Sequence, residues 1–321
     1  MRRPVFKLFA LLLFVACASA QAQSWPSKPI RVVVPFPAGG AVDVGTRAIG
    51  QKLSELWKQP LVVENRAGAG GNIGADAVAK AAPDGYTLLA TSNALALSPA
   101  LYRKLPYDAA KDFIPLAQFN ASYLVLVTDP KLPVHSVKEF IEYAKANPGK
   151  VAYGSTGVGV APHLVMEQLR GRASLDMLHV PYKGDTQVTA AVLAGDVQAA
   201  FLTPASVLSQ VKAGKLRAIG VTRLTPVGTF EGVPTVAATL PGFEYSGYVG
   251  LYAPAGTPKE ITAVIQRDVS RVFASPELQE RLAAAGFEPP NTTPETFPAR
   301  YFKDIANFMQ VVKDAKIPQQ D

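Results

Sequence analysis

Residues Ile30 to Asp43 read Ile-Arg-Val-Val-Val-Pro-Phe-Pro-Ala-Gly-Gly-Ala-Val-Asp, and the organisation of the whole chain can be worked out from them. A β-branched run ends at Pro35, a turn rich in proline and glycine follows, and helix-forming sequence begins near Asp43 and continues to about Trp57. Because the first N–H groups of a helix have no partner within it, this turn favours a bound anion. We expect this first loop, residues 35–40, to face a second loop across a cleft that holds a small organic acid.

The same strand-loop-helix unit recurs along the chain. Strands are predicted over 61–64 and 86–90, and the second of these runs into Ser92 and Asn93. A capping box at Ser136 begins a helix, and strands follow over 151–153, 177–180, 199–202 and 216–221. Strands that alternate with helices predict an α/β fold with mainly parallel sheets flanked by helices. In such sheets, ligands bind at the carboxyl ends of the strands.

Two further apolar strands, Tyr123 to Thr128 and Tyr248 to Tyr252, separate these units. The chain after them is helical, so its apolar faces must be buried on sheet that already exists. We therefore expect two lobes, with residues 23–122 and 247–321 in lobe 1 and residues 123–246 in lobe 2. The two apolar strands are predicted to cross between the lobes as a hinge, and a hinge indicates closure around a ligand.

Residues 1–22 have the pattern of a secretory signal peptide. Three basic residues precede the apolar run Leu8 to Ala16, and small residues follow it. The run is shorter than the about 20 residues that span a bilayer. The sequence therefore predicts a periplasmic protein that is released by cleavage, with lipidation at Cys17, the only cysteine, as the alternative.

Composition excludes several classes of function. The net charge of +7 at pH 7 falls to +4 without the three basic residues of the leader, and the remaining basic residues are dispersed rather than clustered as in a nucleic-acid surface. A chain without cysteine after the leader has no disulfide framework, thiolate nucleophile or thiolate metal site. The three histidines, His135, His163 and His179, have no metal-binding spacing. We expect no metal, no cofactor and no nucleic acid.

Glycine-rich segments invite other interpretations. Gly68 to Gly74 has Ile73 where a dinucleotide-binding fingerprint needs glycine, and the second loop, Gly154 to Gly159, lacks the lysine of a P-loop. No Gly-x-Ser-x-Gly elbow occurs. Ser155 and His163 remain as a nucleophile and base, so the alternative function is a secreted serine-type hydrolase.

The non-catalytic interpretation uses the same second loop. The hydroxyls of Ser155 and Thr156 and the amides up to Gly159 lie at a predicted helix N-terminus, where a carboxylate can be held by charge-assisted hydrogen bonds. The first loop is expected to hold the other end of the ligand, directly or through water. Tyr182 and Lys183 are expected to close the edge of the cleft over the ligand.

These motifs, in this order, resemble the Bug family of extracytoplasmic solute receptors of tripartite tricarboxylate transporters. The resemblance rests on Trp25 to Ile30, Val34 to Gly40 with Asp43, Glu64 to Gly71, Pro83 to Leu88, Gly154 to Gly157, His163-Leu164, Val180 to Gly184, Ala213 to Ala218 and Ala253 to Pro258. It implies a type II periplasmic-binding-protein fold that closes on a carboxylated small molecule, acts as a monomer and delivers the ligand to a two-component membrane permease. It also implies that residues 37–40 contact the ligand from one lobe and that residues 155–157 take a carboxylate from the other.

Two departures from the family pattern bear on the ligand. Phe201-Leu202-Thr203 stands where many members have Phe-Asp, so we expect a cleft without a carboxylate and a ligand without a required ammonium group. Tyr248 stands where tryptophan is common. The predicted ligand-binding residues are Phe36, Ala38, Gly39, Gly40, Asp43, Ser92, Asn93, Ser155, Thr156, Gly157, His163, Tyr182, Lys183 and Thr203.

Overall fold

The computed structural model describes residues 25–284 and 287–320, and the predicted signal peptide and Cys17 lie outside that range. The described residues form two sheets of five strands each, in the orders β2-β1-β3-β10-β4 and β7-β6-β8-β5-β9. The strands are β1 (Ile30–Val34), β2 (Leu61–Asn65), β3 (Thr87–Ser92), β4 (Phe113–Ser122), β5 (Val125–Thr128), β6 (Val151–Ser155), β7 (Met177–Pro181), β8 (Ala199–Leu202), β9 (Arg217–Val221) and β10 (Gly247–Pro254). The predicted α/β class is confirmed.

Helices flank both sheets. They are α1 (Ala41–Trp57), α2 (Asn72–Ala79), α3 (Ala94–Leu101), α4 (Val137–Ala146), α5 (Ala161–Ala173), α6 (Asp185–Ala194), α7 (Pro204–Lys212), α8 (Lys259–Phe273), α9 (Pro276–Ala284) and α10 (Phe297–Asp314). The predicted helix start at Ser136 is confirmed, since Ser136 Oγ accepts a hydrogen bond from the Glu139 amide at 3.1 Å. The capping box is incomplete, because the Glu139 carboxylate accepts from the His135 amide and not from that of Ser136. Each helix in the described residues is too short or too polar to span a bilayer.

Both sheets are mixed rather than mainly parallel as predicted, because each has two parallel and two antiparallel strand pairings. β1, β2 and β3 are parallel, while β10 runs antiparallel between β3 and β4. In the second sheet β6, β7 and β8 are parallel and β5 is antiparallel to β8 and β9. The first loop therefore follows the carboxyl end of β1, and the second loop follows that of β6.

The C-terminal helices pack on both faces of the first sheet. Ile265 and Val269 of α8 share a buried cluster with Val32 of β1. On the opposite face, Phe297 and Tyr301 of α10 are fully buried in the cluster that contains Tyr252 of β10. Burying a large apolar side chain of this kind contributes about 1.5–3 kcal/mol. The tail is thus held on the first sheet by its apolar stripes.

Two details of the predicted topology are wrong. Residues 123–128 and 248–252 are not crossing strands, because β5 lies within the second sheet and β10 lies within the first. The crossings are the segments that join the sheets, residues 123–124 and 222–246. The sequence also gives no indication of β4, because Pro115, Gln118 and Asn120 interrupt its apolar pattern. Both amides are buried with partners: Gln118 Nε2 donates to Asn291 Oδ1 at 2.8 Å, and Asn120 Oδ1 accepts from the Val249 amide at 2.7 Å.

Candidate ligand-binding cleft

A cavity of about 540 Å³ lies where the carboxyl ends of the two sheets meet. Its lining comes from the first sheet and its loops, from the β8–α7 connection, from both crossings and from the segment after α9; the residues are Gly39, Val42, Val44, Ser92, Asn93, Asn120, Ala121, Ser122, Tyr123, Thr203, Pro204, Ala205, Tyr245, Gly247, Tyr248, Val249, Phe287 and Glu288. This is the position at which open α/β sheets bind ligands. We call it the cleft cavity.

Three helices begin at the cleft cavity. Gly39 precedes α1, Asn93 precedes α3 and Thr203 precedes α7, and all three residues line the cavity. In none of the three does the N-cap side chain accept a hydrogen bond from the helix. Some of the first amides are used within the protein, because the Ala94 amide donates to Ser92 Oγ at 3.3 Å and α7 begins with Pro204, which has no N–H. The dipoles of the three helices still favour negative charge at the cavity.

Asp43, in the first turn of α1, holds the first loop by hydrogen bonds. Its buried carboxylate accepts hydrogen bonds from the Gly39 amide at 3.0 Å, from Arg47 Nε at 2.9 Å and from Asn65 Nδ2 at 3.0 Å. Burial acts to raise the pKa of Asp43, but these hydrogen bonds outweigh it and hold the pKa at about 2. Gly39 has a φ of 80°, a left-handed conformation that glycine adopts without strain. Asp43 thus holds the loop in place and has its charge satisfied within the first lobe.

The second loop is built around a buried serine. Ser155 Oγ donates to the Gly157 carbonyl at 2.9 Å and lies 2.6 Å from His179 Nε2, and Ser155 is fully buried. Both partners of the Ser155 hydroxyl thus lie within the second lobe. The loop approaches the first lobe at Gly159, where an added Cβ would lie 2.9 Å from Leu101 Cδ2. Gly159 also has a φ of 77°, a left-handed conformation that glycine adopts without strain.

His163 stabilises the same loop. Its Nδ1 accepts a hydrogen bond from the Gly159 amide at 3.0 Å, and its ring stacks on His179 with centroids 3.9 Å apart. Burial, with a contribution from His179, lowers the pKa of His163 to about 4. The predicted Ser155–His163 pair is therefore wrong: the Ser155 hydroxyl meets His179 instead, and no part of Ser155 is exposed to a substrate.

The structure brings some of the predicted residues together and leaves others apart. Gly39, Ser92, Asn93 and Thr203 line the cleft cavity. The other predicted residues are not in its lining: Phe36, Ala38 and Gly40 on the first loop, Asp43 in α1, Ser155, Thr156 and Gly157 on the second loop, His163 in α5, and Tyr182 and Lys183 after β7. Tyr182 donates its amide to the Ser155 carbonyl at 2.8 Å, and the Lys183 side chain is exposed. Their contact with a ligand stays a prediction.

Several lining residues have no local signal in the sequence. Tyr245 comes from a crossing, and its hydroxyl accepts a hydrogen bond from Asn93 Nδ2 at 3.2 Å. Burial raises the pKa of Tyr245 to about 12, so the phenol stays neutral. Glu288, which follows α9, is the acidic residue of the lining. Thr203 lies where the Phe-Asp pattern would bring a carboxylate after β8, so the acidic residue reaches the cavity from the segment after α9 instead.

The two crossings lie side by side and are tied together by Thr222. Its Oγ1 accepts from the Leu124 amide at 3.0 Å and donates to the Tyr245 carbonyl at 2.7 Å, and Thr222 is fully buried. Ser122 also pairs with Gly247 at the end of the first sheet. The chain thus passes between the sheets at two adjacent places beside the cavity, residues 123–124 and 245–246, and we call these the strap. Two adjacent connections are the arrangement of a hinge.

A second concavity, of about 710 Å³, is larger but lies on the outer face of α3 and α10. Its lining includes Pro99, Met309 and Lys313 and comes from α3, α10 and the residues after α10. A third concavity, of about 630 Å³, lies between α5 and the end of α10. Neither lies at the carboxyl ends of the strands, where open α/β sheets bind ligands, so the cleft cavity is the candidate site.

Comparison with known proteins agrees with this geometry. The sequence model of the tripartite tricarboxylate transporter family receptor, TctC, matches residues 46–312. The chain belongs to this receptor family. Among its relatives, protein BugT of Bordetella pertussis is 36% identical over 318 residues, which are 96% of this chain and 97% of BugT. Membership in this receptor family confirms the resemblance to the Bug proteins, and it does not support a hydrolase.

Solved structures of TctC-type receptors share the fold. The periplasmic binding protein BugD superposes with a TM-score of 0.71 at 30% identity, over 92% of this chain and all of BugD. A protein of R. palustris, solved with adipate, gives a TM-score of 0.74 at 32% identity, over 92% of this chain and all of that protein. Two mixed sheets that face each other across a cleft are thus the periplasmic-binding-protein architecture, as predicted.

Proposed function

We propose that this TctC-family protein is a periplasmic receptor that captures a small carboxylated organic compound in the cleft cavity and delivers it to the two-component membrane permease of a tripartite tricarboxylate transporter. The observation that carries the proposal is the convergence of three helix N-termini, two beside the first sheet and one beside the second, on one cavity. A carboxylate held there draws both sheets together, because its donors come from both.

The proposal assigns parts to the lobes and loops. Lobe 1 consists of residues 23–122 and 247–321, and lobe 2 of residues 123–246, and they swing about the strap that Thr222 ties. In the open form the ligand meets Gly39, Asn93 and Thr203, which already line the cavity. Closure then brings up the second loop, with Thr156 half-buried at its tip. The adipate held by the R. palustris relative supports a ligand of the organic-acid class.

Delivery and location complete the proposal. Residues 1–22 direct the chain to the periplasm and are removed, and the mature chain acts as a monomer that carries its ligand to the permease. The family name, which links the receptor to a transporter, supports this role. A monomer presents both lobes, and hence the state of the hinge, to a membrane partner.

A screen of organic acids tests the function. The chain from residue 23 onward should be stabilised by its ligand by RT ln(1 + [L]/Kd), which is about 2.7 kcal/mol at a concentration of 100 Kd. The acid should be recovered unchanged. Turnover of the acid, or the absence of stabilisation by any organic acid, would overturn the proposal.

A variant of Asn93 tests the place of binding. Asn93→Ala removes an amide that lines the cavity and holds the Tyr245 hydroxyl. We expect binding to weaken by about 1.5–3 kcal/mol, the contribution of a hydrogen bond to a charged group. Asn307→Ala, on the exposed face of α10, is the matched control. Isothermal titration calorimetry measures both, and equal affinities would place the ligand elsewhere.

A further inference from the structure

Glu288 is the one charged residue in the lining of the cleft cavity, as far as the described residues go. Its position is fixed by the backbone, because its carbonyl accepts a hydrogen bond from the Ala121 amide of β4 at 3.1 Å, an isolated bridge between the segment after α9 and the first sheet. Only about a quarter of its side chain, 26%, is exposed. Glu288 is therefore a fixed part of the wall.

The partner of Glu288 comes from the other sheet. Arg223 follows β9, and its Nη1 forms an ion pair and hydrogen bond with Glu288 Oε2. Arg223 is not among the lining residues, whereas Glu288 is. Of this pair, Glu288 is therefore the residue that a ligand in the cavity meets.

The neighbours of Glu288 are apolar. Phe287 lines the cavity beside it, and the Phe287 ring lies next to the first turn of α1, where a Cβ on Gly45 would be 3.6 Å from the ring. Val42 and Val44 of the same turn also line the cavity. This part of the wall offers methyl groups, a ring and hydrogen-bond acceptors.

We propose that Glu288 determines specificity by selecting monocarboxylates whose far end carries a neutral hydrogen-bond donor and by rejecting dicarboxylates. The inference rests on the proposed function, since the helix N-termini must hold the first carboxylate. A hydroxyl or amide at the far end donates to Glu288. A second carboxylate faces a like charge, and Arg223, which stands behind Glu288, offsets only part of that repulsion. Because Arg223 already compensates Glu288, the ligand does not need an ammonium group.

The test compares ω-hydroxy acids with dicarboxylates of the same chain length, from four to eight carbons, by isothermal titration calorimetry. The unaltered protein should bind the best hydroxy acid at least about tenfold more tightly than the dicarboxylate of equal length, which corresponds to 1.4 kcal/mol. Glu288→Gln, which keeps the shape, should bring the two affinities to within about threefold. Glu277→Gln, an exposed glutamate paired with Lys52, is the matched control and should leave the ratio unchanged.

A double variant separates Glu288 from its partner. If Arg223 binds the second carboxylate of a ligand, the double variant Arg223→Met/Glu288→Gln will bind dicarboxylates more weakly than the unaltered protein. The proposal predicts that the double variant binds dicarboxylates more tightly, because the negative charge of Glu288 has been removed. Equal binding of the two acid series by the unaltered protein, or an unchanged ratio in Glu288→Gln, would overturn the inference and leave the receptor function standing. No binding of any acid would overturn both.

Discussion

Replacing Asp43 by asparagine tests how the first loop is held. The carboxylate is 4% exposed and accepts hydrogen bonds from the Gly39 amide, Arg47 and Asn65. Asp43→Asn keeps the shape but removes the charge, and it places an NH₂ group where an oxygen accepted. We expect the free energy of unfolding to fall and the first loop to lose its fixed geometry.

The magnitude follows from the pKa of Asp43. The pKa is lowered from 3.8 to about 2 in the folded protein. At 1.36 kcal/mol per pKa unit, the charged form stabilises the fold by about 2 kcal/mol at neutral pH. Because the folded pKa is depressed, this contribution is complete above the unfolded pKa of 3.8 and is lost as the pH falls toward 2. The difference between the two proteins should therefore shrink to roughly half at pH 3.

Urea unfolding at pH 7 and pH 3, followed by circular dichroism, measures this difference. Asp196→Asn, an exposed aspartate that follows α6, is the control. A loss for Asp43→Asn that matches the control at pH 7, or that is the same at both pH values, would refute the argument that Asp43 acts as a buried charge. Ligand titration of the same variant shows whether the loop must be held for binding.

Two other changes give separate tests. Thr222→Val leaves the Leu124 amide and the Tyr245 carbonyl without their side-chain partner, and we expect a loss of about 2–4 kcal/mol in chemical unfolding; exposed Thr186→Val is the control, and equal stabilities would show that the strap does not depend on this hydroxyl. His163→Phe should remove a pH dependence of stability, because the folded pKa of about 4 lies below the usual 6.5. The unfolded chain takes up a proton first as the pH falls, so His163 lowers stability progressively from pH 6.5 to 4, by about 3 kcal/mol in total. Thermal unfolding across that range should be flatter for the variant than for His135→Phe, and parallel curves would contradict the assignment.

Local sequence was enough to predict the strands and helices whose ends are marked by residues within or next to them. β1 ends at Val34, because Pro35 interrupts the β-branched run. α4 begins after Ser136, because the Ser136 hydroxyl caps the helix. β8, an uninterrupted apolar run, has the predicted bounds. β4 had no such signal, since Gln118 and Asn120 are polar and become acceptable in a buried strand only through Asn291 and Val249, which lie far along the chain.

Some parts of the candidate site could likewise be predicted from local sequence, and others could not. The first loop, which follows β1, was placed at the cleft from the sequence, because a strand followed by a tight turn and a helix N-terminus favours an anion there, and Thr203 after β8 was named as a ligand-binding residue. The second loop, which follows β6, was predicted to face the first loop, but none of its residues lines the cleft cavity. The sequence therefore determined the α/β class, the family and two sides of the cleft. Tertiary structure decided the rest: it turned Ser155 inward to His179, brought Tyr245 to Asn93 and placed Glu288 in the wall beside Arg223. The physical reason is that strands, caps and turns depend on neighbours within a few residues, whereas the direction and partner of a buried polar side chain depend on segments that meet only when the chain has folded.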